Sequence, residues 1–278
     1  MITAYREPPH RRLLRALPVP ARKLARRMVY LARIVRALAV MPLGGLGYTS
    51  RILPLVSGQF PRHCPLCGYH GHFTAFGMPP RFDAQCPNCD SLERHRLFYL
   101  YCLERNHLGK VDSLLHFAPE NVLRPLLAER VPSYITADAY KGGVDRKLDI
   151  EAIDMPSGGL DAVVCNHVLE HVDADAALRE IHRVLRPGGV LICTVPIVEG
   201  WAESYENPAI VDPAGRTLHF GQYDHVRWFG RDFRDRLGAA GFGLQELTAT
   251  GEEAVEFGLV PGETLFLCRK PAGESGAS

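Results

Sequence analysis

Residues 160–196 read LDAVVCNHVLEHVDADAALREIHRVLRPGGVLICTVP. Leu160–Asn166 is a continuous apolar run of strand length, Asp173–Leu185 a helix, Pro187-Gly188-Gly189 a turn, and Val190–Val195 (VLICTV) a second apolar strand ending at Pro196. Apolar strands without alternation are buried on both faces, and strands that alternate with helices pair in parallel. This stretch therefore predicts an α/β fold, a Rossmann-like, doubly wound, mostly parallel sheet.

The pattern continues outward in both directions. Val111–Phe117 reads as a strand, Glu120–Arg130 as a helix, and Ser133–Ala137 as a strand ending at Asp138. Arg231–Ala240 reads as a helix closed by Gly241, and Gly243–Thr248 and Thr264–Cys268 as two late strands. Before them, Ser91 is a good N-cap for a helix Leu92–Asn106, with Glu93 in its first turn and Gly109 as its stop. The tail from Pro271 is Gly/Ser-rich and is expected to be disordered. There is no internal repeat.

The chain has 278 residues, with 46% hydrophobic and 23% charged side chains, which excludes collagenous, low-complexity and fully disordered classes. The near-neutral total hides an asymmetry. Residues 1–62 hold 12 Lys+Arg against one acid, Glu7, a net +11, while the remainder carries a net −10. A uniformly basic nucleic-acid binder is excluded, whereas a basic segment that meets phosphates or an anionic membrane is not. No uncharged apolar run reaches the ~18 residues of a spanning helix, and no signal-peptide pattern is present.

Within the basic arm, residues 1–58, Pro20 opens a helical stretch to about Met41. Leu24, Met28, Leu31, Val35 and Leu38 form one stripe, with Arg22, Arg26, Arg33 and Arg36 on the far side. Three readings stand: a stripe packed on the body, an in-plane helix at an anionic membrane surface, or nucleic-acid contact.

Cys64-x2-Cys67 and Cys86-x2-Cys89 are 18 residues apart, the spacing of a zinc ribbon over residues 59–91. Four thiolates fill a tetrahedron around Zn²⁺, which predicts a structural rather than a catalytic metal. The alternative is two pairs of redox or unligated thiols. Cys102, Cys165, Cys193 and Cys268 are scattered and read as small buried hydrophobes, consistent with a reducing, cytoplasmic compartment or peripheral attachment at the inner membrane face.

Leu160–Asn166 with Leu169-Glu170-His171-Val172, followed by Arg183–Gly189 (RVLRPGG), resembles class I S-adenosylmethionine (SAM) dependent methyltransferases of the type 11 group. The resemblance implies a SAM domain over residues 92–270. It places Asp138 on the ribose hydroxyls, Asp149-Ile150 beside the adenine, and Asn166 and His167 facing the sulfonium. The family's first loop reads D-x-G-x-G-x-G. Here it reads His116-Phe117-Ala118-Pro119-Glu120-Asn121, with His116, Ala118 and Glu120 at the acid and glycine positions. HFAPE, flanked by CPNCDSLERHR (Cys86–Arg96) and GQYDHVRWFG (Gly221–Gly230), is similar to a subset of bacterial SAM methyltransferases. Glu120 is then a candidate for the methionine amino group.

Residues Trp201–Asp232 lie where this fold commonly covers its substrate. They bring His219, Asp224, His225, Arg227, Tyr205, Tyr223 and Trp228, with Asp224-His225 a candidate oriented base. With His167, these two make the expected catalytic set. The function implied is methyl transfer to a hydroxyl of a sugar, glycan or other small metabolite. The rivals are an RNA methyltransferase that uses ribbon and arm, and a non-catalytic binding protein on the same fold.

Overall fold

Two antiparallel hairpins open the described chain: Pro61–His63 (β1) with His70–His72 (β2), and Thr74–Phe76 (β3) with Arg81–Gln85 (β4). The computed structural model describes residues 58, 60–77 and 81–272, together with Ala21, Leu24, Ala25, Met28 and Ala32. Those five are helical, and Leu24 and Met28 are exposed. The rest of the arm, and the tail from residue 273, lie outside the described residues. Among the described residues no helix is long and apolar enough to cross a membrane. The chain divides into two units between Asp90 and Ser91.

The second unit begins with Glu93–Phe98 (α1), continued by the wider-wound turns of Tyr99–Glu104. There follow Ser113–Phe117 (β5), Arg124–Arg130 (α2), Ser133–Ala137 (β6), Leu160–Asn166 (β7), Ala174–Val184 (α3) and Leu185–Thr194 (β8). Then come Tyr205–Glu206 (β9), Pro213–Phe220 (α4), Arg227–Trp228 (β10), Phe233–Ala239 (α5), Gly243–Thr248 (β11), Gly251–Phe257 (α6) and Thr264–Arg269 (β12).

Six strands form the central sheet in the order β11-β12-β8-β7-β5-β6. β6, β5, β7 and β8 run parallel, and β12 is inserted antiparallel between β8 and β11. This is the α/β, mostly parallel, Rossmann-like sheet expected. β5 has β6 on one side and β7 on the other, so the connections leave in opposite directions at that point. In such sheets a ligand crevice forms beyond the carboxyl ends of the strands at the switch. One core joins Leu115, Val163, Leu178, Ile181, Phe233 and Phe266.

Several boundaries differ from expectation, each for a local reason. The helix after the ribbon is not capped by Ser91: the Leu92 N–H donates to His95 Nδ1 (3.1 Å), so the helix starts at Glu93. β5 starts at Ser113 because Asp161 Oδ2 takes the N–H groups of Asp112 and Ser113 (2.8 Å each). Residues 121–123 form a turn on the Glu120 carbonyl before α2. The RPGG turn is absorbed into β8, where Gly188 (φ +77°) donates its N–H to Lys270 O (3.0 Å) and Lys270 returns one to Gly189 O (2.9 Å). Helices α4 and α6 were not anticipated. Each is capped by a polar side chain, Asp212 and Thr250, and ended by a left-handed glycine, Gly221 and Gly258.

Arg96 is wholly buried, the largest such side chain. Its guanidinium donates to Ser91 O (2.8 Å), Phe257 O (2.6 Å) and Gly258 O (2.6 Å), capping the carboxyl end of α6 with positive charge. Arg96→Ala removes a charged donor from the Ser91, Phe257 and Gly258 carbonyls. It is expected to lower stability by at least about 3 kcal/mol in urea denaturation, with Arg96→Lys intermediate because an ammonium lacks the planar fork.

Candidate functional site

At the carboxyl ends of β5 and β7 the second unit buries ionisable groups faster than it pairs them. Among the described residues, seven buried side-chain N or O atoms lack a hydrogen-bond partner. Five belong to one neighbourhood: His95 Nε2, Glu120 Oε1, His167 Nε2, Glu170 Oε2 and Glu263 Oε2. His167 Nδ1 donates to Glu170 Oε1 (3.2 Å), and its Nε2 lies 3.9 Å from Glu263 Oε1. Arg94 and His95, on α1, act electrostatically on Glu120 and His167. Orphaned polar atoms in a native fold ask for an explanation, and a ligand is one.

His116 is wholly buried. Its Nε2 donates to Glu120 Oε2 (2.8 Å) and its Nδ1 lies 2.8 Å from the Tyr134 hydroxyl. Burial alone would raise the Glu120 carboxyl, but the His116 hydrogen bond and charge hold it down at about 2. Burial, then Arg94, lowers His95 to about 3. Burial also works against a charged His167, yet the hydrogen bond to Glu170 and the nearby Glu263 carboxylate hold it up at about 9. The neighbourhood is thus built for ionised carboxylates.

Ala118 takes the left-handed conformation at φ +46° and donates its N–H to Ala137 O (2.9 Å). The chain keeps a glycine-like turn without a glycine, at a cost of roughly 1–2 kcal/mol. His167 (φ +52°) repeats this at the end of β7. Apart from Asp and Asn residues, these are the positive-φ non-glycines among the described residues, and they flank the switch point.

The other predicted cofactor residues fall around this edge. Asp138 is 9% exposed; its Oδ1 accepts from Tyr140 N (2.8 Å) and Lys141 N (2.7 Å), leaving Oδ2 with only the distant Lys141 ammonium at 3.9 Å. Asp149 is exposed and accepts from Glu151 N (2.9 Å), while Ile150 is part of the core. Asn166 is buried and receives the Thr194 hydroxyl (3.3 Å).

Residues 201–232 pack over the turn Leu169–His171 that follows β7. Arg227, 7% exposed, donates to Leu169 O (2.9 Å), Val172 O and Glu206 Oε1 (3.0 Å), and Val226 N to Glu170 O (2.9 Å). Asp224 does not orient His225: its Oδ2 lies 3.6 Å from His171 Nδ1, whereas His225 Nδ1 donates to Phe220 O (3.1 Å). The rings of His171 and His225 meet edge to face at 4.7 Å. His219 Nδ1 bonds the Tyr205 hydroxyl (2.7 Å). A surface cavity of about 320 Å³ lined by Val111, Asp112 and Pro132 lies at the opposite, amino-terminal edge of the sheet.

In the first unit the four paired cysteines converge. Cys64 and Cys89 Sγ are 3.6 Å apart, Cys67 and Cys86 Sγ 3.7 Å, and all four sulfurs lie within 4.8 Å of one another. A tetrahedron with ~2.3 Å metal–sulfur bonds has edges of about 3.8 Å, so the sulfurs already stand at ligand spacing. The two turns repeat: Gly68 N donates to Cys64 O (2.9 Å) and Asp90 N to Cys86 O (3.0 Å), with both donor residues left-handed.

Arg94, His95, Glu170 and Glu263 were not singled out from sequence. The first three sit inside quoted motifs, SLERHR and LEH, but only the fold brings Glu263 to His167.

Residues 128–193 match a family model described as a methyltransferase domain. The match lies within the second unit and runs from α2 to β8 of its Rossmann-like sheet. Solved structures similar to the chain include a putative methyltransferase from Bacillus halodurans (16% identity, 62% of this chain and 98% of that one, TM-score 0.41). Others are the YcgJ protein of Bacillus subtilis (15%, 64% and 100%, 0.45) and, bound to S-adenosylhomocysteine, the 1,6-didemethyltoxoflavin-N1-methyltransferase of Burkholderia thailandensis (16%, 63% and 78%, 0.45). No curated protein matches the chain.

Glu120, held below its ordinary range in the fold, contributes stability that is complete above about pH 4.5 and is lost as pH falls toward 2. Glu120→Gln removes this term. Its loss of unfolding free energy between pH 6 and pH 3.5 is expected to be smaller than wild type's by about 1 kcal/mol in chemical denaturation.

Proposed function

We propose that this protein is a SAM-dependent methyltransferase acting on a hydroxyl of a sugar, glycan or other small metabolite, with a structural Zn²⁺ on Cys64, Cys67, Cys86 and Cys89. The observation that carries the reading is the set of unpartnered buried polar atoms at the β5–β7 edge. SAM supplies an electrophilic methyl on a sulfonium beside an ammonium, a carboxylate and a ribose diol. Ionised Glu120, with Oε1 unpartnered, fits the ammonium, and Arg94 lies near enough to act on the same field. The remaining oxygen of Asp138 fits a ribose hydroxyl. The turn at Ala118 lets the backbone pass close to the ligand, the role glycine has elsewhere in the family. His167, Glu170 and the 201–232 segment border the acceptor side, with Tyr205, His219, Tyr223 and Trp228 offering ring faces and polar tips suited to a sugar. In-line placement of acceptor oxygen and methyl carbon is the main requirement; the oxygen–carbon bond forms as the carbon–sulfur bond breaks, and the hydroxyl proton leaves. The basic segment 20–41 is a candidate for peripheral contact with an anionic membrane from the cytoplasmic side.

Calorimetric titration of the full chain with SAM and with S-adenosylhomocysteine, with zinc quantified on the same sample, tests this. Affinity on the order of micromolar is expected. Asp138→Ala should abolish binding and Glu120→Gln weaken it about tenfold or more. No binding by a folded, zinc-loaded sample overturns the reading in favour of a non-catalytic scaffold. Where binding is seen, transfer of labelled methyl to a panel beginning with glycans identifies the acceptor.

A further inference from the structure

Glu170, His171 and His225 bring one ligand atom each to within 4.8 Å of the others, from two segments more than 50 residues apart. We infer that they form a second metal site, a two-imidazole, one-carboxylate set that holds a divalent transition cation against the acceptor. This rests on the methyl-transfer reading of the same crevice for its role, but not for its existence.

The argument is one of lone pairs. His225 Nδ1 faces the Phe220 carbonyl at 3.1 Å, and His171 Nδ1 faces the Asp224 carbonyl at 3.3 Å. A carbonyl only accepts, so each ring places its proton on Nδ1 and presents Nε2 as a bare lone pair. Metal-bound histidines are oriented in this way, by a second hydrogen bond to a carbonyl or carboxylate. Asp224 Oδ2, 3.6 Å from His171 Nδ1, adds the carboxylate. Glu170 is 1% exposed, and while Oε1 receives His167, Oε2 has no partner. The three side chains thus meet at ligand spacing while the Nδ1 protons turn to carbonyls, and a cation would satisfy the lone pairs left over.

The site is also rigid before any ion arrives. Arg227 bridges Leu169 O and Val172 O on either side of the Glu170-His171 pair, and Val226 N holds Glu170 O. A cleft of about 470 Å³, lined by His171, Asp173, Glu206 and Arg227 among others, reaches the His171 ligand from solvent. Two imidazoles and one carboxylate leave coordination positions open, unlike the four thiolates of the ribbon. An acceptor oxygen that takes one of them becomes more acidic and sheds its proton to water more readily. The acceptor class is therefore one with a chelating pair of oxygens, such as a vicinal diol.

The test uses the full, zinc-loaded chain and Mn²⁺, which suits imidazole and carboxylate oxygen better than a filled thiolate site. Electron paramagnetic resonance and calorimetry should report one Mn²⁺ per chain. His171→Ala and His225→Ala should each abolish it, and Asp224→Asn weaken it about tenfold, with zinc content and SAM affinity unchanged. His225→Gln serves if the alanine variant does not fold. An absence of Mn²⁺ binding, or binding indifferent to His171 and His225, overturns the proposal. Mn²⁺ binding without SAM binding leaves the metal site standing and removes the methyl-transfer reading; SAM binding without Mn²⁺ does the reverse.

Discussion

The hydrogen bond from His116 to Glu120 is the interaction from which the rest of the site follows. It spans one turn of chain at the end of β5 and keeps a carboxylate charged where burial would neutralise it. Because His116 is itself sealed inside the sheet and backed by Tyr134, the charge is fixed in place rather than left to a mobile loop. Glu120 pulls against the burial and the Arg94 charge that lower His95, while His167 is drawn into a chain with Glu170 and Glu263. A fold that concentrates charge in this way needs counter-groups, and the unpartnered atoms show where they are missing.

Two buried arginines hold the walls of this neighbourhood. Arg96 gathers carbonyls from Ser91 and from the end of α6, and Arg227 gathers carbonyls on both sides of the turn after β7. Both occupy the motifs that flank HFAPE in sequence, SLERHR and DHVRWFG. The motifs therefore serve first as clamps that join segments over a hundred and fifty residues apart in one case and over fifty in the other. The histidines beside them, His95 and His225, are placed at the site as a consequence.

Backbone strain follows the same map. Ala118 and His167 both hold left-handed conformations at the ends of neighbouring parallel strands. Such residues persist where surrounding bonds over-determine them, here Ala118 N to Ala137 O and His167 N to Thr194 O. The glycine-free first loop accordingly holds a left-handed turn at Ala118 under strain, without a glycine to relieve it.

What the sequence determined by itself was the periodic part. Uninterrupted apolar runs such as LDAVVCN and VLICTV can be satisfied only between two covered faces, so the parallel sheet was legible, as was the paired CxxC spacing. Polar caps and left-handed glycines fixed α4 and α6 as well, but their short amphipathic patterns gave too little contrast with the surrounding loop to be read. Tertiary structure alone decided which acid meets which histidine. Asp224 stands next to His225 in the chain yet faces His171, while the Phe220 carbonyl accepts the hydrogen bond from His225 Nδ1–H. Glu263 reaches His167 across nearly a hundred residues. Such pairings depend on directions of approach set by strand order, and local sequence carries no record of them.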